Sequence, residues 1–184
     1  MTDDLAEILF TEEDIKNRVE EMAVEISAYY KNIEAGEVVV IGILRGAVIF
    51  MSDLIRKMDI PLILDFMSIS SYGKGTQSSG NVRIIKDIVE DISDKHVLII
   101  EDIVDSGLTL DKLKKLLYSK NPKSVQLCTF MSKPSRRQVD VEIDYCGYEI
   151  PDEYVVGYGL DYAGLYRELP YVAILAPKVY MKAL

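Results

Sequence analysis

The segment 97–110, VLIIEDIVDSGLTL, constrains the fold of this chain more than any other stretch. It opens with four apolar residues, and such a run is typical of a strand buried on both faces of a parallel sheet. Glu101 and Asp102 follow immediately. Because acids are costly to bury without partners, we expect them to mark the point where the strand leaves the core.

The turn at 105–109 has the composition of an anion-binding turn. Its sequence, DSGLT, precedes a helix-like segment at 111–120, and backbone N–H groups and the helix dipole attract anions at such a position. An ordinary helix cap has the same short sequence. However, three acids lie within five residues at the end of a strand, which is where ligands bind in open α/β sheets. We therefore favour a ligand site.

The remaining pattern alternates between helices and strands. Apolar residues recur at helical spacing over 11–31, a second helix is predicted at 47–58, and the helix after the turn ends at Asn121-Pro122. Strands are predicted at 38–43, 61–70, 82–85, 124–130 and 171–175. This order predicts an α/β fold with a mostly parallel central sheet flanked by helices.

Composition restricts the possible partners. The 184 residues indicate one domain, and 30 acids against 21 bases give a net charge of −9, which argues against a nucleic-acid or anionic membrane surface. No apolar run approaches the roughly 20 residues that span a membrane, and the N-terminus lacks a signal-peptide layout. The two cysteines form no CxxC pair, as expected for reduced thiols in a cytoplasmic protein.

The only histidine, His96, begins the central strand. A single histidine excludes a two-histidine metal site. No serine is predicted beside it, so we expect a structural role.

The segment 97–110 resembles the motif with which purine phosphoribosyltransferases bind 5-phosphoribosyl 1-pyrophosphate (PRPP). That motif is a hydrophobic strand, two acids, two apolar residues and then Asp-Ser/Thr-Gly-x-Thr, and the resemblance extends over nearly the whole chain. It implies the type I phosphoribosyltransferase fold. Residues 1–184 would form one domain, with a small hood built from the N-terminal residues and roughly 140–184.

The resemblance implies how PRPP is bound. The loop after the second strand would receive pyrophosphate, often with a non-proline cis peptide before its basic residue, and Glu101 and Asp102 would hold the ribose hydroxyls. Asp105 would take the proton from purine N7, and the turn after it would hold the 5′-phosphate, with Leu108 where some family members carry lysine. The implied PRPP-binding residues are Leu44, Arg45, Gly46, Glu101, Asp102, Asp105, Ser106, Gly107, Leu108, Thr109 and Arg167.

The resemblance also implies a purine pocket, a metal site and a lid. Lys133 would contact the 6-oxygen of the base, Tyr154 would stack on the ring and Val155 would offer backbone hydrogen bonds. Taken singly, Tyr154 is explained equally well as a core residue, Asp161 as a turn acid and Arg167 as a surface charge, and an isolated lysine such as Lys133 is by default a solvated surface residue. Asp161 would also line the pocket. The implied Mg²⁺ ligands are Glu101, Asp102 and Asp161, and the implied lid begins with Ser71 and Tyr72.

The activity implied is purine salvage, in which the phosphoribosyl group of PRPP passes to N9 of hypoxanthine or guanine through an oxocarbenium-like transition state. Mg²⁺ would be the cofactor, and a homodimer or homotetramer is expected. One alternative is a xanthine-preferring enzyme. The other is a PRPP-sensing regulator that binds nucleic acid. The net charge and the complete set of base-binding residues implied by the resemblance argue against it.

Overall fold

The described residues, 2–71 and 82–180, form a two-sheet α/β structure in this computed structural model. Short 3₁₀ turns lie at Thr2–Asp4 and Pro134–Arg136. The helices are α1 (Glu12–Asn32), α2 (Val48–Ile55), α3 (Leu108–Tyr118) and α4 (Pro177–Tyr180). The strands are β1 (Leu5–Phe10), β2 (Val38–Leu44), β3 (Leu62–Ser71), β4 (Val82–Lys86), β5 (His96–Val104), β6 (Ser124–Ser132), β7 (Tyr145–Glu149), β8 (Val155–Val156) and β9 (Val172–Leu175).

The larger sheet has six strands in the order β4-β3-β2-β5-β6-β7. All neighbouring pairs are parallel except β3 and β4, which are antiparallel at one edge. The strand that contains the acidic motif, β5, lies between β2 and β6. This arrangement confirms the predicted α/β fold with a mostly parallel central sheet.

The sheet is buried on both faces. Consecutive residues of its central strands point to opposite faces and belong to different core clusters. Val38 and Val40 pack with α1 and α2, whereas Val39 and Ile41 pack with α3. All four side chains are inaccessible to solvent. The continuous apolar runs of the sequence therefore reflect helices on both sides of a parallel sheet.

The central strand is longer than the sequence pattern indicates. β5 runs to Val104, and its pairing with β6 continues through Glu101↔Thr129 to Val104↔Ser132. The first five residues of β5 are buried, whereas Glu101, Asp102 and Ile103 are half-buried, so the acids do mark the point where continuous burial ends, although the strand itself continues to Val104. Hydrogen bonds with β6 satisfy backbone N–H and C=O groups of the residues that follow the acids. Both carboxylates therefore belong to a strand and not to a loop.

A second, three-stranded sheet has the order β1-β9-β8 and is antiparallel. It joins the N-terminal strand to the C-terminal part of the chain, the two regions from which the hood was predicted. β7 lies within the predicted hood range of 140–184 but pairs with β6 in the larger sheet.

His96 has a serine neighbour that the sequence analysis did not anticipate. His96 Nδ1 lies 2.7 Å from Ser124 Oγ, because these residues begin the adjacent strands β5 and β6 and are in register. The expectation that no serine lies beside it is wrong. The pair stands at the amino ends of the parallel strands, opposite to the end that carries the acidic turn.

Helix α1 begins with a capping box. Thr11 Oγ1 accepts a hydrogen bond from Asp14 N at 3.2 Å, and Asp14 Oδ2 accepts one from Thr11 N at 2.9 Å. Two backbone donors that the helix leaves free are satisfied in this way. No helix in the described part of the chain, α1 included, has the length and apolar character needed to cross a membrane.

Removal of the Thr11 cap should destabilise the protein. Thr11→Ala leaves the Asp14 N–H without its side-chain acceptor, and we expect the free energy of unfolding in urea to fall by about 1 kcal/mol. Thr11→Ser keeps the hydroxyl and should retain most of that stability. Equal losses in the two variants would contradict the capping role of the hydroxyl.

Candidate active site

A cavity of about 460 Å³ opens at the carboxyl ends of β2 and β5. It brings together the loop after β2, the acidic end of β5, the turn after β5 and two residues of the C-terminal block. Lys133, Tyr154 and Val155 are not part of its lining. The polar and glycine residues that line it are Arg45, Gly46, Glu101, Asp102, Asp105, Ser106, Gly107, Thr109, Asp161 and Arg167.

The turn at 105–109 leads from β5 into α3 through a left-handed glycine. Gly107 is the N-cap of α3 with φ +80°, a conformation that other residues rarely adopt. Leu108 N lies 3.4 Å from Ser106 Oγ. The first N–H groups of a helix have no acceptor within the helix, so this turn offers donors to an anion at the cavity.

Asp105 is paired with an arginine that the sequence analysis did not single out. Its Oδ1 lies 2.7 Å from Arg136 Nε, and Arg136 Nη1 also lies 3.4 Å from Asp152 Oδ2. The negative charge of Asp105 is the main cause of the raised pKa of Arg136. Arg136 follows Lys133 in a short basic segment, but two arginines on a loop are too common a pattern to predict a contact with Asp105.

Glu101 and Asp102 place two carboxyl groups side by side at the cavity. Glu101 Oε2 is buried and has no hydrogen-bond partner among the described residues, while Asp102 Oδ1 accepts from Ile103 N at 2.7 Å. Burial, and then the charge of Asp102, raises the pKa of Glu101 well above its ordinary value. Burial also raises the pKa of Asp102.

These two carboxyl groups fit a divalent cation that completes its shell with oxygens from substrate and water. Hard cations such as Mg²⁺ favour carboxylate oxygens and commonly use only one or two of them beside substrate phosphates, and the unpartnered Glu101 Oε2 is free to serve as one. No group of three or more His, Cys, Asp or Glu residues suited to a metal occurs among the described residues.

Asp161, the third predicted metal ligand, is engaged elsewhere. Its Oδ1 pairs with Arg167 Nη2 at 2.5 Å, and its Oδ2 accepts from Gly164 N at 2.7 Å. Arg167 also donates to the carbonyl of Gly159. The predicted ligand and the predicted pyrophosphate residue therefore form an ion pair at the cavity.

The loop after β2 lies close to the Asp102 side chain on one side and to the backbone at Gly159 on the other. A Cβ on Gly46 would lie 1.5 Å from Asp102 Oδ2, and a Cβ on Gly159 would lie 2.1 Å from the carbonyl oxygen of Gly46. A side chain at Gly159, whose φ is +99°, would clash with backbone, and one at Gly46 would require the Asp102 carboxylate to move. The Leu44–Arg45 peptide bond is cis, and the Arg45 side chain is exposed beside the cavity.

Lys133 lies between the end of β5 and the start of the C-terminal block. Its N–H donates to Val104 O at 2.9 Å, and its Nζ donates to Glu153 O at 2.6 Å. The side chain is only 11% exposed, and burial lowers the pKa of Lys133. A poorly solvated ammonium group therefore stands next to Tyr154, the residue that follows Glu153.

Tyr154 belongs to a group of tyrosine rings. Its ring stacks on Tyr180 and meets Tyr162 edge-on, with ring centroids 5.4 Å apart in both pairs. Val155 is buried and begins β8. The predicted lid lies outside this description: the backbone of Ser71 ends β3, and Tyr72 is beyond the described residues.

Comparisons with known proteins agree with this geometry. Residues 6–163 match the family model of the phosphoribosyl transferase domain. A hypoxanthine-guanine phosphoribosyltransferase of Staphylococcus aureus strain Mu50 is 49% identical over 180 residues, which cover 98% of this chain and 99% of that protein. A hypoxanthine phosphoribosyltransferase of Salmonella typhimurium is 49% identical over 166 residues, covering 90% of this chain and 93% of that protein.

Solved structures give the same result. A crystal structure of a hypoxanthine phosphoribosyltransferase from Staphylococcus aureus aligns with a TM-score of 0.93 at 49% identity and covers 98% of this chain and 96% of that one. A mutant hypoxanthine phosphoribosyltransferase from Trypanosoma cruzi, in a ternary substrates complex, aligns with a TM-score of 0.90 at 39% identity, covering 97% of this chain and 99% of that one. The chain belongs to the phosphoribosyltransferase family, as the sequence resemblance predicted.

Removal of the Glu101 charge should change how stability depends on pH. The raised pKa of Glu101 disfavours its ionised form in the folded protein, so the wild type loses stability as pH rises from the ordinary value of 4.5 through the raised pKa. Glu101→Gln avoids this loss. The quantity to measure is the free energy of unfolding of Glu101→Gln minus that of wild type, from urea unfolding in the presence of EDTA. We expect this difference to be more positive at pH 8 than at pH 5.

The matched control is Glu37→Gln, which changes an exposed glutamate at the opposite end of β2. Its difference from wild type should be the same at both pH values. A Glu101→Gln difference that is equally constant would contradict the raised pKa.

Proposed function

We propose that this protein transfers the 5-phosphoribosyl group of PRPP to N9 of hypoxanthine or guanine, giving IMP or GMP and pyrophosphate. The observation that carries this proposal is the cavity at the ends of β2 and β5. It combines a phosphate-type turn with adjacent carboxyl groups and with two arginines from distant segments, Arg45 and Arg167. Relatives that share 49% of their residues with this chain are named for hypoxanthine or for hypoxanthine and guanine.

In this proposal the turn at 105–109 holds the 5′-phosphate through backbone N–H groups and the hydroxyls of Ser106 and Thr109. The loop Leu44-Arg45-Gly46 and Arg167 receive the pyrophosphate. Glu101 and Asp102 hold the ribose hydroxyls, and their negative charge stabilises positive charge on the ribose ring as the bond to pyrophosphate breaks.

Glu101 and Asp102 are also the residues that would hold Mg²⁺. When bound, Mg²⁺ would neutralise negative charge on the pyrophosphate. Asp161 would contribute only after its ion pair with Arg167 opens. Release of Arg167 from Asp161 would at the same time free its guanidinium for the pyrophosphate.

The purine would lie between the turn and the C-terminal block. Tyr154 would stack on the base, Val155 would bind its edge through backbone atoms and Lys133 would donate to the 6-oxygen. A 6-amino group offers donors where the ammonium group needs an acceptor, so adenine is disfavoured. Asp105 would take, or partly take, the proton from purine N7 while N9 attacks.

The remaining assignments concern the whole chain. Residues 1–184 would be one phosphoribosyltransferase domain, with the sheet β1-β9-β8 as its hood. The core supports this, because Val155 and Val172 of the smaller sheet share a cluster with Val38 and Leu98 of the larger one. A homodimer or homotetramer and a cytoplasmic location stay predictions from the sequence.

The test of the function is product formation from PRPP and Mg²⁺ with hypoxanthine, guanine, xanthine and adenine offered in parallel. The proposal expects turnover of hypoxanthine and guanine and none of adenine. Faster turnover of xanthine than of either would identify a xanthine-preferring enzyme instead. No turnover of any base would overturn the proposal.

Asp105→Asn should lower kcat by roughly 10²- to 10⁴-fold because the amide cannot accept the N7 proton. The affinity for PRPP should change little, since the backbone donors of the turn remain. The control is Asp152→Asn, which removes the other acidic neighbour of Arg136. It should lower kcat far less. Unchanged turnover of Asp105→Asn would exclude Asp105 as the base.

Lys133→Ala should reduce kcat/KM for hypoxanthine by about 10- to 100-fold, because a charge-assisted hydrogen bond to the 6-oxygen is lost. KM for PRPP should stay close to that of wild type. Lys114→Ala is the matched control, since Lys114 Nζ also donates to a backbone carbonyl, that of Glu142, but lies outside the cavity. If hypoxanthine kinetics are unchanged in Lys133→Ala, the assignment of the purine pocket is wrong.

A further inference from the structure

Residues 137–139, here called the clamp, donate hydrogen bonds to two backbone carbonyls of the phosphate turn. Arg137 Nη1 donates to the carbonyl oxygen of Asp105 at 2.9 Å. The N–H groups of Gln138 and Val139 donate to the carbonyl oxygen of Ser106 at 3.0 and 3.4 Å. The clamp therefore fastens the start of the turn.

The Arg137 guanidinium is itself fixed. Its Nη2 donates to Ser132 Oγ at 2.7 Å, and Ser132 is a buried residue at the end of β6. A planar guanidinium that makes two hydrogen bonds has a defined orientation, and lysine cannot reproduce that fork. Arg137 thereby links the carbonyl of Asp105 to the rigid end of the neighbouring strand.

The clamp also lies directly against the turn. A Cβ on Gly107 would be 3.2 Å from Arg137 Cδ and 3.2 Å from the carbonyl oxygen of Val139. Carbonyl oxygens repel a phosphate, whereas N–H groups attract it. Because the two carbonyls are directed to the clamp, the N–H groups that follow them stay available for the anion.

We propose that Arg137 is a positioning residue for the 5′-phosphate, acting through the backbone of the turn. This inference rests on the proposed function, which assigns the turn to that phosphate. Loss of Arg137 frees the carbonyl of Asp105, so the donors of the turn are no longer held in one arrangement and phosphate affinity falls. Pyrophosphate is unaffected, because the proposed function assigns it to Arg45 and Arg167, on other segments.

The test compares two ligands by calorimetry, IMP for the turn and pyrophosphate for the other phosphate site, each with Mg²⁺. In Arg137→Ala we expect the Kd for IMP to rise by about 10- to 100-fold, the range for a lost charge-assisted hydrogen bond, and the Kd for pyrophosphate to stay unchanged. In steady-state assays KM for PRPP should rise while KM for hypoxanthine does not.

Arg18→Ala is the matched control. Arg18 Nε and Nη2 donate to the carbonyls of Gly147 and Cys146 at 2.9 and 2.8 Å, so the variant loses the same kind of contact on β7. Both dissociation constants should match those of wild type. An unchanged IMP affinity in Arg137→Ala, or an equal loss for both ligands, would overturn the inference.

Two milder variants keep the test decisive if Arg137→Ala does not fold. Arg137→Lys and Ser132→Ala each weaken the fork, and each should raise the Kd for IMP and not that for pyrophosphate. If neither does so, the inference is wrong. A wild-type protein that binds pyrophosphate but not IMP would overturn the assignment of the turn itself, whereas wild-type binding of both with no effect of Arg137→Ala would overturn the inference alone.

Discussion

The pairing of β5 with β6 beyond the acidic pair is the constraint on which the site depends. The ladder continues to Val104↔Ser132, and the N–H of Lys133 then donates to Val104 O. Glu101 and Asp102 are consequently held by a rigid strand instead of a loop, and Lys133 begins its own segment at a fixed place beside them. A site built on strands holds its geometry more tightly than one built on loops. This suits the proposed reaction, in which the purine, the 5′-phosphate and the pyrophosphate must be held in fixed relative positions.

Charge explains why this arrangement is tolerated in a cavity. Four acids line it together with two arginines, Arg45 and Arg167, and the protein as a whole carries a net charge of −9. The cost of burying carboxylates appears as the raised pKa of Glu101, and the pairs Asp161–Arg167 and Asp105–Arg136 offset part of the remaining repulsion. In the proposed function, a cation held by Glu101 and Asp102 would offset most of the repulsion that is left.

The sequence predicts those parts of the molecule whose signal is local. Buried strands such as β2 and β5 have long apolar runs, and α1 has a capping sequence and helical spacing, so their positions follow from the pattern. The short strands β1, β7 and β8 were not predicted, because each is defined by its partner and not by its own composition: β8 has two residues, and β1 pairs with β9, far away along the chain. The predicted ligand residues around β2 and β5 line the cavity, except Leu108. The contacts of Arg136 and Arg137 with residues about thirty positions away exist only once β6 is placed next to β5.

The segment 133–139 connects the two halves of the proposed reaction. It starts with the lysine proposed to bind the base, continues with the arginine that pairs with Asp105 and ends with the clamp that holds the phosphate turn. A 3₁₀ turn at Pro134–Arg136 joins these residues, so the roles proposed for the base, for Asp105 and for the phosphate turn all depend on contacts made by one short segment.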